Sequence, residues 1–264
     1  MFRPKQRKID KLNFIIAGAQ KSGTTALHYF LQKHPQITLG DQQEMHFFDT
    51  DEFFARQPVD YEALHRHFPR FARSIRHRTD SLRRTIAGEC TPHYLHYKPA
   101  MERIWNYNPA IKLIILLRNP VDRAFAHWNM QRFKRRDPLD FLDAVQAEKD
   151  RVVENSPLQA RRFSYVARGF YSEQLARVFK FFPREQVKLI KFEHFRDHNR
   201  EALNSVFEFL RVKPLPRIRS KDRNVVPYER AMTIDERKHL YEIFADEILR
   251  LERTLGWDCS DWKL

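Results

Sequence analysis

Glycine is scarce in this sequence, since the 264 residues include only six. Two of the six, Gly18 and Gly23, lie in one short stretch near the N-terminus. Glycine tolerates positive φ angles and the close approach of another group to the backbone. In a chain with so few glycines, this pair indicates a loop whose backbone is specialised for one task.

Cysteines and long apolar runs are also scarce, and each absence excludes a class of protein. The two cysteines, Cys90 and Cys259, cannot form a disulfide framework and lack metal-ligand spacing. No apolar run approaches the roughly 20 residues that cross a bilayer. The basic residues 1–11 precede no apolar segment of the usual signal-peptide form. The sequence is therefore interpreted as a protein of a reducing cytoplasm without a membrane span.

Acidic residues are fewer than basic ones. The sequence has 34 aspartates and glutamates and 48 lysines and arginines, which gives a net charge of +14. This excess indicates an anionic partner, and a nucleic acid, a nucleotide and an acidic acceptor molecule all fit it. Nucleic-acid binding also predicts a basic stripe with interleaved aromatic residues, or a known module. The basic residues are scattered and no module is visible, so nucleic-acid binding is the weaker alternative.

The glycine pair lies between a predicted strand at residues 12–17 and a predicted helix that opens at residues 22–25 and runs to residue 33. A strand, tight loop and helix gather backbone N–H groups around one point, and this arrangement binds phosphate-like anions. The loop begins like G-x-x-x-x-G, but a Walker loop needs lysine directly after the second glycine. Here Thr24 follows Gly23, and Lys21 lies two positions before Gly23. A phosphoryl-transferring kinase therefore stays an alternative whose lysine and magnesium ligands are missing.

A second informative stretch lies at residues 111–126. Seven mostly aliphatic residues predict a strand buried on both faces, as in a parallel sheet. Asn119 is predicted to cap the next helix, with Pro120 at its first position. Arg118 then lies at the carboxyl end of the strand, where open α/β sheets bind ligands.

The remaining sequence continues the alternation of strands and helices. Further strands are predicted at 37–39, 85–89 and 186–192. Helices are predicted at 59–68, 137–154, 172–182 and 199–210, followed by a closing helix that Thr233 caps and that ends near Gly256. The alternation predicts an α/β fold in one domain spanning residues 1–264: a central parallel sheet of about five strands flanked by helices.

These motifs together resemble those of sulfotransferases that use 3′-phosphoadenosine 5′-phosphosulfate (PAPS), particularly the bacterial and heparan sulfate branch. G-A-Q-K-S-G-T-T-A-L at residues 18–27 resembles their 5′-phosphosulfate loop. R-N-P-V-D-R-A-F-A at residues 118–126 resembles their 3′-phosphate motif, with Ala126 in place of its final serine. The resemblance implies a P-loop, nucleotide-kinase-like fold and a sulfotransferase that releases adenosine 3′,5′-bisphosphate (PAP) and requires no metal.

The resemblance also implies roles for individual residues. E-M-H-F-F-D at residues 44–49 resembles a loop whose glutamate is the proposed base. Glu44 is therefore predicted to take the acceptor's proton and Lys21 to stabilise the leaving oxygen, with His46 as a third catalytic residue. Arg118 is predicted to hold the 3′-phosphate. The complete predicted cofactor-binding set is Gln20, Lys21, Ser22, Gly23, Thr24, Thr25, Arg118, Tyr171, Lys221 and Arg223.

On the acceptor side, G-E-C-T-P-H-Y at residues 88–94 resembles a family segment that has lysine at the position of Cys90. Asp49, Cys90 and His93 are predicted to contact the acceptor, and residues 211–232 are predicted to form a loop over the cofactor. The acceptor contributes a hydroxyl or an amine, and a glycan, a lipid and a small metabolite all fit. Because Cys90 and Ala126 depart from the family pattern, a non-enzymatic PAPS-binding protein stays a further alternative.

Overall fold

A computed structural model describes residues 6–7, 9–68, 71–72, 85–153, 162–215 and 227–264. Two short strands pair antiparallel, β1 (Gln6–Arg7) and β4 (Phe71–Ala72). Five parallel strands form the main sheet in the order β3-β5-β2-β6-β7. These strands are β2 (Phe14–Gly18), β3 (Ile37–Leu39), β5 (Ile86–Cys90), β6 (Lys112–Leu117) and β7 (Val187–Lys191).

Helices connect the strands and cover the sheet. In chain order they are α1 (Thr24–Gln32), α2 (Glu62–His65), α3 (Ala100–Tyr107), α4 (Pro120–Phe133), α5 (Phe141–Gln146), α6 (Glu148–Val153), α7 (Tyr171–Phe181), α8 (Phe192–Asp197), α9 (Asn199–Leu210) and α10 (Ile234–Leu255). Within the described part of the chain, no helix combines the length and the apolar character needed to cross a membrane.

The two central strands are buried on both faces. In β2, Ile15 packs into one apolar cluster, whereas its neighbours Phe14 and Ile16 pack into the other. In β6, Leu113 and Ile114 divide between the two clusters in the same way. Successive side chains of a strand point to opposite faces, so apolar runs like these suit a parallel sheet covered on both sides. The predicted α/β class and the five-stranded parallel sheet are confirmed.

The sheet order places the loops after β2 and β6 side by side. From β2 the chain moves to β3 and β5 on one side, and β6 and β7 then extend the sheet on the other side. The carboxyl ends of β2 and β6 therefore form the point at which the strand order reverses. In open α/β sheets, ligands bind in the crevice at this point.

Several predicted helices differ from those of the structure. The helix predicted at residues 137–154 is two helices, α5 and α6, and it does not begin at Asp137. The buried Asp137 carboxylate instead accepts hydrogen bonds from the Leu139 N–H (3.1 Å) and the Tyr165 hydroxyl (2.6 Å), and pairs with Arg151. This carboxylate fixes a loop, so the helical turn starts only at Phe141.

The remaining differences concern helix length and short helices. The helix predicted at residues 59–68 is only the single turn of α2, and α3 and α8 were not predicted. By contrast, Asn119 caps α4 through Val121 N–H (3.0 Å), and Thr233 forms a capping box at the start of α10. Those two caps are confirmed, because each depends on local side-chain hydrogen bonds that the sequence displays.

Candidate active site

The loop between β2 and α1 explains the glycine pair. Gly23 precedes the first residue of α1 at φ 86°, in the left-handed region, and a Cβ there would lie 2.9 Å from the Phe192 ring. A Cβ at Gly18 would lie 2.6 Å from the Leu95 side chain. The first position needs an unusual dihedral and close approach, and the second needs close approach. Both glycines are required by the path of this loop.

Two residues predicted to be catalytic also have left-handed backbones. Lys21 has φ 68° and His46 has φ 53°, and they are two of four such non-glycine residues in the described ranges. This conformation costs a non-glycine residue about 1–2 kcal/mol. Such strain concentrates at functional sites, where the surrounding structure holds it in place.

The loop offers several unused backbone donors. The backbone N–H groups of Gln20, Lys21, Gly23 and Thr24 have no acceptor in the described part of the protein. Ser22 N–H turns back to the Ala19 carbonyl instead (3.2 Å). Free N–H groups around a helix N-terminus form an anion site, and the phosphate groups of a nucleotide fit these donors.

Lys21 and Arg118 add positive charge beside these donors. The Arg118 Nη1 group donates to the Lys21 carbonyl oxygen over 3.3 Å, and the guanidinium lies 5.0 Å from the centroid of the Phe192 ring. Burial, together with the charges of Arg118 and Lys134, lowers the pKa of Lys21 to about 8. The ends of β2 and β6 thus present two cations to the same crevice.

Buried residues support the turn between β6 and α4, which carries Arg118 and is called the Arg118 turn below. The Tyr171 hydroxyl donates to the Arg118 carbonyl (3.0 Å), and burial raises the pKa of Tyr171 to about 12. Arg123 is completely buried and donates to the Tyr165 carbonyl. Tyr171 therefore supports the turn from within, and direct contact of its ring with a nucleotide stays a prediction.

A chain of acidic and imidazole groups runs from Glu44 into the protein. Glu44 Oε2 lies 3.3 Å from His46 Nε2, and His46 Nδ1 lies 2.9 Å from Asp49 Oδ2. His93 Nε2 approaches the same Asp49 oxygen at 3.8 Å. The Glu44 side chain is 40% exposed, whereas that of Asp49 is fully buried. Asp49 thus fixes the orientation of His46, and His46 faces the carboxylate predicted to be the base.

A second buried carboxyl group, Glu89, lies behind this series of acidic and imidazole groups. The Thr91 hydroxyl donates to Glu89 Oε2 (2.8 Å) and accepts from the backbone N–H groups of Met45 (3.1 Å) and His46 (3.4 Å). Burial raises the pKa of Glu89 to about 8, against the opposing hydrogen bond from Thr91. Glu89 is therefore protonated at neutral pH and supports the loop that carries His46.

Two contacts of the loop were missed from the sequence. Arg168, which is 2% exposed, donates to the Gln20 side-chain oxygen over 2.8 Å. Gln43 donates to the Thr25 hydroxyl over 2.7 Å and so joins the acidic loop to α1. Burial, reinforced by Arg123, lowers the pKa of Arg168 to about 9. The sequence signal for Arg168 was the R-G-F-Y segment at residues 168–171, in which only Tyr171 was predicted to be a site residue.

Of three other predicted site residues, one lies away from the proposed acceptor and two lie outside the described residues. The Cys90 thiol is completely buried and donates to the Thr24 carbonyl (3.8 Å), and burial raises its pKa well above the usual range. This position under α1 does not support the predicted contact between Cys90 and an acceptor. Lys221 and Arg223 lie outside the described residues, so their predicted role over the cofactor stays a prediction.

The chain is similar in sequence and fold to several known proteins. The chain is 31% identical to a sulfotransferase from Alicyclobacillus acidocaldarius whose crystal structure is solved. The match covers 96% of this chain and 99% of that one, with a TM-score of 0.77. Mouse sulfotransferase SULT7A1, solved in complex with PAP, shares the fold at a TM-score of 0.51 and 15% identity, over 96% of this chain and 86% of that one.

Curated relatives are longer than this chain. The membrane-associated sulfotransferase kil1 of Dictyostelium discoideum is 24% identical over 93% of this chain and 65% of its own length. The bifunctional heparan sulfate N-deacetylase/N-sulfotransferase 3 of Mus musculus is 29% identical over 80% of this chain and 23% of its own length. The chain thus matches less than two thirds of each of these relatives. The family model described as "Sulfotransferase domain" matches residues 11–238. The chain therefore belongs to the sulfotransferase domain family, a family of PAPS-dependent enzymes.

Proposed function

We propose that the protein transfers the sulfuryl group of PAPS to a hydroxyl or amine of an acceptor. The observation that carries the proposal is the convergence of the loop amides, Lys21 and Arg118 at the carboxyl ends of β2 and β6. A nucleotide with phosphates at both its 5′ and 3′ positions needs two separate groups of donors. The loop amides and Lys21 would hold the 5′ side, and Arg118 would hold the 3′-phosphate.

Each residue of the site has a separate task in this proposal. The acceptor oxygen or nitrogen forms a bond to sulfur as the bond between sulfur and the bridging oxygen breaks, and that oxygen leaves on PAP with the electron pair. Lys21 stabilises the negative charge that develops on the bridging oxygen. Removing one such preorganised donor typically lowers the rate about 10²–10³-fold. Glu44 takes the acceptor's proton, and Asp49 orients His46 beside it.

Ligand-induced stabilisation tests the donor site. We expect PAP to raise the melting temperature, whereas ATP with magnesium should have a smaller effect, because Arg118 would recognise the 3′-phosphate. At one hundred times its dissociation constant, a ligand adds about 2.7 kcal/mol of stability. The Arg118→Ala variant should lose the preference for PAP. A melting temperature that rises only with ATP and magnesium would reject the proposal.

A second experiment tests the proposed base separately from donor binding. Glu44 is exposed and, within the described part of the chain, forms an ion pair only with His46, so Glu44→Gln should fold normally and keep the PAP-induced shift. Sulfuryl transfer from radiolabelled PAPS should fall about 10²-fold or more, as is typical when a general base is lost. Glu52→Gln, on an exposed side chain of the next turn, is the control. Full transfer activity in Glu44→Gln would remove Glu44 from the mechanism.

A further inference from the structure

The junction between β7 and α8 contacts the Arg118 turn. β7 ends at Lys191, and Glu193 is the second residue of α8. Glu193 Oε1 accepts a hydrogen bond over 3.1 Å from the backbone N–H of Asn119, the residue that follows Arg118. The two residues are 74 positions apart, and they meet because β6 and β7 are parallel neighbours in the sheet. Glu193 therefore lies beside the turn that carries the proposed ligand of the 3′-phosphate.

The remaining polar groups of Asn119 are also occupied. Its side-chain oxygen accepts from the Val121 N–H (3.0 Å), and its side-chain nitrogen donates to the Trp262 carbonyl (3.5 Å). Its own carbonyl accepts from the Arg123 N–H (2.9 Å). Every polar group of Asn119 thus has a partner within the protein, and the backbone that follows the Arg118 turn has a fixed position.

The Arg118 side chain is supported from the same junction. The Arg118 guanidinium lies 5.0 Å from the centroid of the Phe192 ring, and Phe192 directly precedes Glu193. The Tyr171 hydroxyl also holds the turn, by donating to the Arg118 carbonyl (3.0 Å). Two consecutive residues at the start of α8 therefore contact the turn, one at the guanidinium and one at the N–H of the next residue.

Hydrogen-bond donors surround the Glu193 carboxyl group. Burial raises its pKa, whereas the backbone N–H groups of Asn119 and of Glu193 itself act in the opposite direction, as does the indole N–H of Trp262. Trp262 also accepts from Asn119 through its carbonyl, so the three residues contact one another. Removing the carboxyl group would leave the Asn119 N–H without its acceptor, directly next to Arg118.

We propose that Glu193 positions Arg118 and thereby sets the selectivity of the donor site for a nucleotide that carries a 3′-phosphate. This role rests on the proposed function, in which Arg118 holds that phosphate. Glu193 is a positioning residue and does not touch the nucleotide. A guanidinium binds phosphate through N–H donors in a fixed planar geometry, so a small displacement of Arg118 loses contacts. Within the described part of the chain, Glu193 forms no hydrogen bond with the loop between β2 and α1, so binding of the 5′-phosphate should not depend on it.

PAP and adenosine 5′-monophosphate (AMP) differ only in the 3′-phosphate, and isothermal titration with both tests this role. In Glu193→Ala we expect the dissociation constant of PAP to rise about tenfold or more, because a displaced binding group loses much of its effect. The dissociation constant of AMP should stay nearly unchanged. Glu193→Gln keeps an oxygen acceptor at the same reach and should keep the preference for PAP. The matched control is Glu201→Ala on α9, where the side chain is 75% exposed.

The possible results separate this role from general support of the fold. If Glu193→Ala weakens PAP and AMP by the same factor, or weakens neither, the positioning role is overturned. If the parent protein binds PAP no better than AMP, the proposed function is rejected instead. Glu193→Asp shortens the side chain by one methylene and is used if Glu193→Ala does not fold. It should lose part of the preference for PAP, and an undiminished preference there would also overturn the role.

A double-mutant cycle tests whether Glu193 acts through Arg118. Arg118→Ala removes the group that Glu193 would position, so adding Glu193→Ala to it should cause no further loss of the preference for PAP. Additive losses would show that Glu193 contributes to binding of the 3′-phosphate by a separate route, and they would overturn the assignment.

Discussion

The ammonium group of Lys21 is the charge that most depends on pH in the proposed donor site. Its pKa of about 8 means that the free protein begins to lose this charge just above neutral pH. Phosphate groups bind the protonated form better, because an opposite charge nearby favours the charged state. Binding of PAP above pH 8 therefore has to restore a proton to Lys21.

We predict that the dissociation constant of PAP rises about tenfold per pH unit above pH 8, as expected when one proton accompanies binding. Both phosphates are fully ionised in this range, since their second pKa is about 6. Isothermal titration at pH 7.5, 8.5 and 9.5 measures the slope. Lys21→Met is the control, and it should bind weakly with little pH dependence. Equal slopes in the two proteins would show that Lys21 is not the group that titrates.

Glu89 is a second buried titratable group, and its proton affects folding. The folded protein holds this proton up to about pH 8, whereas the unfolded chain releases it near its ordinary pKa of 4.5. Folding stability associated with Glu89 is therefore complete below pH 4.5. It falls as the pH rises from 4.5 to about 8, where it levels off.

We predict that Glu89→Gln removes this pH-dependent loss of folding stability. The amide is neutral at every pH, so the variant should gain stability relative to the parent by about 1.4 kcal/mol per pH unit between pH 5 and 8. Urea unfolding at several pH values measures the difference. Glu102→Gln, at an exposed position of α3, should show no such trend. A pH-independent difference for Glu89→Gln would indicate that the carboxyl group is ionised when folded.

A comparison of Gly23, at the turn into α1, with Gly256 separates a role in ligand binding from a purely conformational role. Gly23 and Gly256 both have positive φ angles next to a helix end, at 86° and 65°. A Cβ at Gly256 would meet nothing within 4 Å, whereas one at Gly23 would meet the Phe192 ring that lies against Arg118. The two positions therefore share the dihedral cost and differ in the contact.

We predict that Gly256→Ala costs about 1–2 kcal/mol of stability, the usual cost of the left-handed conformation, and leaves PAP binding unchanged. Gly23→Ala should cost more, because the added methyl displaces the Phe192 ring. It should also weaken PAP binding, because that ring supports Arg118. Urea unfolding and titration with PAP measure the two effects. Equal effects of the two substitutions would mean that the contact with Phe192 contributes nothing.

The sequence predicted elements whose signals are local and missed contacts that depend on distant parts of the chain. The apolar runs of β2 and β6, the cap at Asn119 and the two loop glycines all follow from neighbouring residues. The pairing of Arg168 with Gln20 joins residues 148 positions apart, and no periodicity encodes it. The predicted helix at 137–154 was wrong for the same reason, because one of the partners of Asp137 is Tyr165, which lies beyond the predicted helix.

At the scale of the whole molecule, the C-terminal segment reaches back to the proposed nucleotide site. Trp262 is 1% exposed, and its carbonyl accepts a hydrogen bond from the Asn119 side chain over 3.5 Å. Asn119 directly follows Arg118 in the sequence. Lys191, at the end of β7, donates to the Asp258 carbonyl (2.6 Å) and pairs with Asp261. The C-terminal segment is thus joined to the carboxyl ends of β6 and β7, beside the crevice that would bind the donor.

We predict that Trp262→Ala destabilises the fold by about 3–5 kcal/mol, the usual cost of deleting a buried tryptophan side chain. Because the Trp262 carbonyl accepts from the Asn119 side chain, and loss of the buried ring would leave that carbonyl less firmly held, PAP binding should weaken in the folded fraction as well. Trp105→Ala is the matched control, since that ring is 41% exposed and should cost much less. Urea unfolding with and without PAP separates the two effects. If Trp262→Ala lowers stability but leaves the affinity for PAP unchanged, the C-terminal segment supports the sheet edge without shaping the Arg118 turn.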